Sequence, residues 1–135
     1  MHQARAMISS HPDVKGSVSD RLICCIEECS ACAQACTSCA DACLAERDVD
    51  TLKQCIRLDL DCADLCAATA ALASRRTGSN VEVLRSVIEA CAMACKVCGD
   101  ECEKHAHAHE HCRICAEACR SCERACRDAL PDVHH

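Results

Sequence analysis

The chain is 135 residues long and carries 19 cysteines, 8 histidines and a formal net charge of −6, with no Phe, Tyr or Trp. Its cysteine share exceeds the roughly 8–10% that marks cysteine-dominated chains, which argues against an ordinary globular enzyme, and an acidic chain without stacking aromatics or a clustered basic face does not suit nucleic acid. No apolar run long enough for a membrane span or a secretory leader is found, so a cytoplasmic protein is expected, in whose reducing surroundings dense cysteines serve metal or catalysis rather than disulfides.

Residues 1–18, with Met7, Ile8, Val14 and Val18, are predicted to form an arm or short helix packed on the domain that follows; His2 and His11 belong to this arm. From Ser19 to Ala45 the cysteines at 25, 29, 32, 36, 39 and 43 alternate steps of four and three, the period of one helical face. At about 100° per residue these six stay within roughly 80° of one another, and Cys24 stands about 100° off their stripe. A second helix is predicted from about Asp50 to Ser74, with Cys55, Cys62 and Cys66 on its stripe and Asp59 at the step where a cysteine is missing.

A third helix is predicted from the capping signal Ser79-Asn80-Val81-Glu82. It carries Cys91, Cys95, Cys98 and Cys102, and its phase continues onto His105 and His109. Gly99 within it permits close approach by a neighbouring helix, at a cost of about 1 kcal/mol relative to Ala. The segment His105–His111 is a His-rich turn in which His107 and His111 are off phase and read as exposed, although a bent turn would recruit His111. A fourth helix spans about Glu110 to Ala129 with Cys112, Cys115, Cys119, Cys122 and Cys126, and Pro131 stops it. Residues 131–135, ending in His134 and His135, form a tail.

Four amphipathic helices joined by short polar links describe an all-α fold, an antiparallel up-down four-helix bundle over residues 19–130. Leu, Ile and Val total only 23 residues while Ala supplies another 23, so the core is built from small side chains and sulfur. Up-down connectivity gathers Cys43, Cys55, Cys102 and Cys112 at the histidine end. It gathers Leu22, Ile23, Ala70, Ala73, Leu84, Val87, Ile88 and Leu130 as an apolar plug at the other. Met93, off the Cys91 stripe, is read as packing. The second helix is apolar on both flanks, at Leu58, Leu65 and Leu72 and at Ile56, Leu60, Ala63 and Ala67, which predicts self-association.

Leu or Ala would pack such a seam without oxidation risk, so the sulfur itself is required. Side chains at i,i+3 and i,i+4 of one helix stand side by side and do not face each other as a disulfide demands. Thiolate surroundings select Cu(I), zinc or iron–sulfur clusters. Zinc favours isolated sets of four ligands on wrapping loops, and cluster ligation uses loop-borne spacings with a following Pro that are missing here. Unbroken helical rows of thiols suit Cu(I), which accepts two or three sulfurs and allows them to be shared. A zinc- or iron–sulfur-binding bundle with a structural or redox role is the alternative.

The cysteine-striped helices, the rows at Cys25–Cys43 and Cys91–Cys102, the absence of aromatics and the His-rich turn together resemble the bacterial copper storage proteins of the cytosolic type, over roughly residues 19–130. The resemblance implies a homotetramer that stores many Cu(I) ions and performs no catalysis; a copper chaperone is a candidate partner. The expected metal-binding set is all nineteen cysteines, Cys24 included, together with Asp59, His105 and His109. The two histidines are expected to receive Cu(I) and pass it to Cys102 and Cys112.

Overall fold

The computed structural model describes residues 3–134 of the chain; His2 and His135, assigned above to the arm and tail, lie outside them. All regular structure among the described residues is helical: α1 (Ala4–Ser9), α2 (Asp20–Leu44), a 3-10 turn (Val49–Leu52), α3 (Lys53–Ser74), α4 (Val81–His105), α5 (Glu110–Ala129) and a closing 3-10 turn (Leu130–Asp132). Helices α2 to α5 form the expected bundle. Each packs on two neighbours, α2 on α3 and α5, and α4 on α3 and α5, so that the four close a ring around one core.

The helix ends follow from identifiable chemistry. Ser19 is the N-cap of α2: its hydroxyl accepts the Leu22 N–H at 3.1 Å and donates to Asp132 Oδ2 at 2.6 Å. The cap therefore also ties the start of the bundle to its last turn. The capping box expected at Ser79–Glu82 does not form; Asn80 is the N-cap of α4, with φ −150°, and no side chain bonds the first turn. Gly78 just before it adopts φ 69°, a left-handed conformation that a side chain would strain. The second helix begins later than its pattern suggests, because residues 49–52 wind as a 3-10 turn that drives Leu52 into the core, fully buried.

The plug end is as expected. Leu22, Ile23, Ala73 and Ile88 are buried, joined by Ile26, Thr69 and Val133, while Ala70, Leu84, Val87 and Leu130 pack partly buried against them. The Thr69 hydroxyl is satisfied by donating to the Leu65 carbonyl at 2.7 Å. The short helix α1 lies on α2 through Ile8, whereas Met7 turns outward, 67% exposed. Gly99 is buried: a Cβ there would stand 3.3 Å from Cys119 Cβ and 3.0 Å from an Arg120 guanidinium nitrogen, so the bare backbone admits α5. Arg120 crosses this contact to bond Asp100 and Glu103 on α4 at 2.7 and 2.9 Å.

Two readings of packing are corrected. Met93 does not pack in the core but is exposed, because its position faces away from the ring. The apolar flanks of α3 are covered in part by the bundle itself: Ala63 is buried and Ile56, Leu58, Leu65 and Leu72 are half-buried, whereas Leu60 and Ala67 are exposed. Replacing Ile88, the large buried hydrocarbon of the plug, by Ala is expected to lower the stability of the reduced metal-free protein by about 2–5 kcal/mol. The plug contains no sulfur, so the titratable thiol count should stay at the wild-type value. Chemical denaturation and thiol titration of Ile88→Ala check both.

Candidate metal centre

The four-and-three steps of the sequence become four sulfur stripes facing one axis. Helix α2 supplies Cys25, Cys29, Cys32, Cys36, Cys39 and Cys43, α3 supplies Cys55, Cys62 and Cys66, α4 supplies Cys91, Cys95, Cys98 and Cys102, and α5 supplies Cys112, Cys115, Cys119, Cys122 and Cys126; all eighteen are buried and free. Cys24 is the correction: it is exposed on the outer face of α2, where its 100° offset carries it.

Sulfurs from different helices lie 3.6–3.9 Å apart along the whole tube. From the plug outward the contacts include Cys25–Cys126 at 3.8 Å, Cys66–Cys91 at 3.6 Å, Cys62–Cys95 at 3.8 Å, Cys36–Cys115 at 3.7 Å and Cys55–Cys102 at 3.6 Å, ending at Cys43–Cys112 at 3.9 Å. These are non-bonded distances, well beyond the roughly 2.05 Å of a disulfide. A point at the centre of a triangle of side 3.8 Å stands 3.8/√3, about 2.2 Å, from each corner, close to the ~2.3 Å of a metal–thiolate bond.

The sulfurs also fall into groups of four whose ligand atoms all lie within 4.8 Å of one another: Cys29, Cys91, Cys122 and Cys126; Cys32, Cys66, Cys95 and Cys122; Cys32, Cys36, Cys62 and Cys119; and Cys36, Cys98, Cys115 and Cys119. The groups share members. Cys122, Cys32, Cys36 and Cys119 each belong to two, so neighbouring groups cannot all be filled as closed sites with private ligands. Sulfur must bridge.

Asp59 occupies its predicted place inside the stripe, fully buried. Cys98, Cys115 and Cys102 donate to its Oδ1 at 3.1, 3.3 and 3.5 Å, and Cys55 to Oδ2 at 4.0 Å. Burial first, and then the negative charge that Cys115 can carry, raise its pKa to about 8. Burial likewise opposes ionisation of the thiols; it pushes Cys43 up to about 11 and Cys112 upward too. Burial thus favours the protonated, neutral form of these groups in the metal-free tube.

The histidines are arranged differently from the phase argument. His111, which the turn was expected to expose unless bent, is the ring that reaches sulfur: its Nδ1 lies 3.5 Å from Cys39 Sγ and 3.6 Å from Cys112 Sγ, and with Cys39, Cys43 and Cys112 it forms a further four-ligand group. Its Nε2 meets Glu46 Oε2 at 2.8 Å. An Nε2–H donated to that carboxylate leaves the Nδ1 lone pair facing the two sulfurs.

His109 sits outside it, stacked on His111 with ring centroids 5.4 Å apart, and pairs with Glu46 at 3.1 Å and Asp48 at 3.0 Å. The Asp48 carboxylate holds its pKa above the ordinary imidazole value. His105 bonds Glu101 at 3.2 Å, and His107 is exposed. Helical phase extends only to His105, because α4 ends there and the chain turns through 106–109, which resets the direction of every later ring. Glu46 and Asp48, in the loop after α2, were not singled out by the sequence reading; a pair of carboxylates facing a His-rich turn was the available signal.

Because Asp59's pKa is raised, its contribution to stability is complete below the unfolded value near 4 and is lost as pH climbs through about 8. Asp59→Asn abolishes that loss. The stability of the reduced, metal-free variant relative to wild type is expected to increase steadily between pH 4 and pH 8, by an amount on the order of a few kcal/mol. Thermal melts across this range test it; a difference independent of pH would show that the carboxyl keeps its ordinary pKa.

Comparison with known proteins places this geometry. The chain matches the copper storage protein family over residues 18–131. The copper storage protein Ccsp from Streptomyces lividans, loaded with 10 copper equivalents, is 55% identical, with a TM-score of 0.91 over 95% of this chain and 98% of that one. A cytosolic copper storage protein from the same organism with five coppers is 61% identical over 83% of this chain and 93% of that one, with a TM-score of 0.81. Cu(I)-bound Csp3 from Bacillus subtilis is 40% identical over 76% of this chain and 92% of that one, with a TM-score of 0.66. With its eighteen-thiol core and a family match across the whole bundle, this chain belongs to the copper storage protein family.

Proposed function

We propose that the chain holds Cu(I) as cargo in its thiol column, admitted at the histidine end. The observation that carries this reading is the sharing of buried sulfurs between adjacent four-ligand groups. Each uptake step exchanges one proton for one ion: a thiol S–H bond breaks, a copper–sulfur bond forms, and the proton leaves to solvent. The monovalent ion replaces the proton charge for charge, so filling adds no net charge to the buried core. No catalytic side chain is needed.

The ligand set of this reading is the eighteen core cysteines with Asp59 and His111. Cys24 is left out. His111 presents its Nδ1 to an arriving ion while Glu46 holds its other nitrogen, and Cys39 and Cys112 lie next in line. His109, Glu46 and Asp48 form the outer rim and His105 stands beside it; acidic groups there concentrate cations. Leu52 fills part of the same end, so the way in runs beside the His111 ring.

The storage domain is taken as residues 19–130, with 1–18 and 131–135 as appendages. A cytoplasmic setting is supported by the cytosolic relative and by the reduced thiols the function requires. No helix among the described residues is long and apolar enough to cross a membrane. Self-association, expected as a homotetramer, is supported by the outward-facing Leu60, Met93 and Val97 on the adjacent helices α3 and α4. A copper chaperone remains a candidate donor.

Anaerobic titration of the reduced, metal-free protein is the direct test. Binding is expected to approach one Cu(I) for each of the eighteen core thiols, whereas saturation near four or five ions would favour separate tetrahedral sites of the zinc type. His111→Ala should load and unload Cu(I) more slowly by about tenfold or more while capacity changes by no more than one or two ions. Glu46→Gln should show the same defect in milder form, because it loosens the ring without removing it. Stopped-flow loading and chelator-removal rates measure both; wild-type rates in His111→Ala would move the mouth elsewhere.

A further inference from the structure

The outer side of the histidine mouth carries a donor set of a different kind from the sulfur column. Glu46, in the link after α2, places its Oε2 2.8 Å from His111 Nε2 and 3.1 Å from His109 Nδ1. Two metal–ligand bonds of about 2.1 Å at right angles put their donor atoms √2 × 2.1, about 3.0 Å, apart, so these separations match the edges of one coordination face. All three of its atoms are nitrogen or oxygen. The face is reachable from water, because the Glu46 and His111 side chains remain 32% and 25% exposed.

The His109 ring is itself held from behind. Its Nε2, on the side away from Glu46, meets Asp48 Oδ2 at 3.0 Å, and that carboxylate in turn accepts the Thr51 hydroxyl at 3.4 Å. A histidine that ligates a metal almost always donates its other ring N–H to a carboxylate, carbonyl or water, which fixes the tautomer and the direction of the ring; Asp48 stands in that place. Stacking of the two rings, with centroids 5.4 Å apart and planes 19° apart, keeps both on the same carboxylate. Two imidazoles and one carboxylate with further positions open to water suit a divalent first-row ion, whereas the sulfurs on the inner side of His111 suit Cu(I).

We propose that Glu46, His109 and His111 form a binding site for a divalent transition-metal ion on the outer side of the mouth, with Asp48 positioning His109. When the ion binds, the proton on His109 Nδ1 leaves to solvent. The ion also takes His111 Nε2, the nitrogen that otherwise donates to Glu46, so the single proton of that ring moves to Nδ1 and points at Cys39 and Cys112, 3.5 and 3.6 Å away. The lone pair that receives Cu(I) is then lost. An ion held on the outer side therefore closes the mouth to the inner one. The site stands on the rim geometry alone, while this coupling rests on the reading of His111 as the entry ligand.

The test uses the full reduced, metal-free chain with Mn(II) as the probe, because that ion favours oxygen and nitrogen donors over thiols. Electron paramagnetic resonance reads the free Mn(II), and anaerobic stopped flow reads copper loading. One Mn(II) per chain is expected to bind, weakened about tenfold or more in His109→Ala and less in Asp48→Asn, which keeps all three ligands. Saturating Mn(II) should slow Cu(I) loading of the wild type about fivefold or more and leave that of His109→Ala unaltered. Mg(II) at the same concentration screens carboxylates but takes oxygen ligands and water rather than imidazole, so it should slow neither. Absence of Mn(II) binding, or equal binding by wild type and His109→Ala, would overturn the site. Binding without slowing, or equal slowing by Mg(II), would remove His111 from the ligand set and overturn the coupling. A chain that binds Mn(II) at the rim yet saturates near four or five Cu(I) would sink the storage reading and leave this site standing.

Discussion

A buried sulfur is tolerable only while it carries no net charge, and the whole bundle is organised around that constraint. Transfer of isolated ions into a low-dielectric interior is prohibitively unfavourable, yet eighteen potential anions are stacked here without a single buried lysine or arginine among the described core residues. Protonated, each thiol packs as a small hydrophobe, which allows the helices to assemble before any ion arrives. Metallated by a monovalent ion, each is neutral again. A divalent ion would balance the column only at half the occupancy, and four private thiolates per zinc would leave each site doubly negative. Asp59 obeys the same rule by holding its proton to about pH 8.

That constraint divides the bundle along its length. Hydrocarbon from Leu22, Ile23, Ile88 and Val133 closes one end and supplies stability that does not depend on cargo. The other end trades hydrocarbon for imidazole and carboxylate, groups that stay hydrated while offering a lone pair to a soft cation. The two stacked rings differ in electrostatic task. His109 is bonded to two carboxylates and holds its proton more tightly than an ordinary imidazole, whereas His111 keeps one nitrogen against sulfur. From water inward the order is thus carboxylates, the His109 ring, the His111 ring and then the sulfurs of Cys39 and Cys112.

Most of this was legible in the residue spacing. The 25-29-32-36-39-43 and 91-95-98-102 runs specify helix, face and ligand at once, because cysteine placed at the helical period is both the core pattern and the metal pattern. Asp59 was legible as the position where that pattern substitutes oxygen for sulfur, and Cys24 as the one that falls off it. What spacing cannot carry is geometry across a chain reversal: the turn after His105 determines which imidazole points inward, and helical phase says nothing beyond the helix that defines it. Leu52 was hidden for a related reason, since a 3-10 turn rotates side chains by a different angle per residue from the α-helix that follows. The Ser79–Glu82 pattern was the correct signal for the start of α4 but not for its cap, a choice made by the backbone at Asn80.

The absence of Phe, Tyr and Trp has an optical consequence. A chain without Trp or Tyr is nearly transparent near 280 nm, and its peptide bonds absorb only much deeper in the ultraviolet. Charge-transfer bands between sulfur and a bound metal therefore arise against an almost dark background, and any near-ultraviolet dichroism must come from the chirally held cluster itself. The polypeptide is spectroscopically silent where its cargo is visible, so the state of filling can be followed without a label.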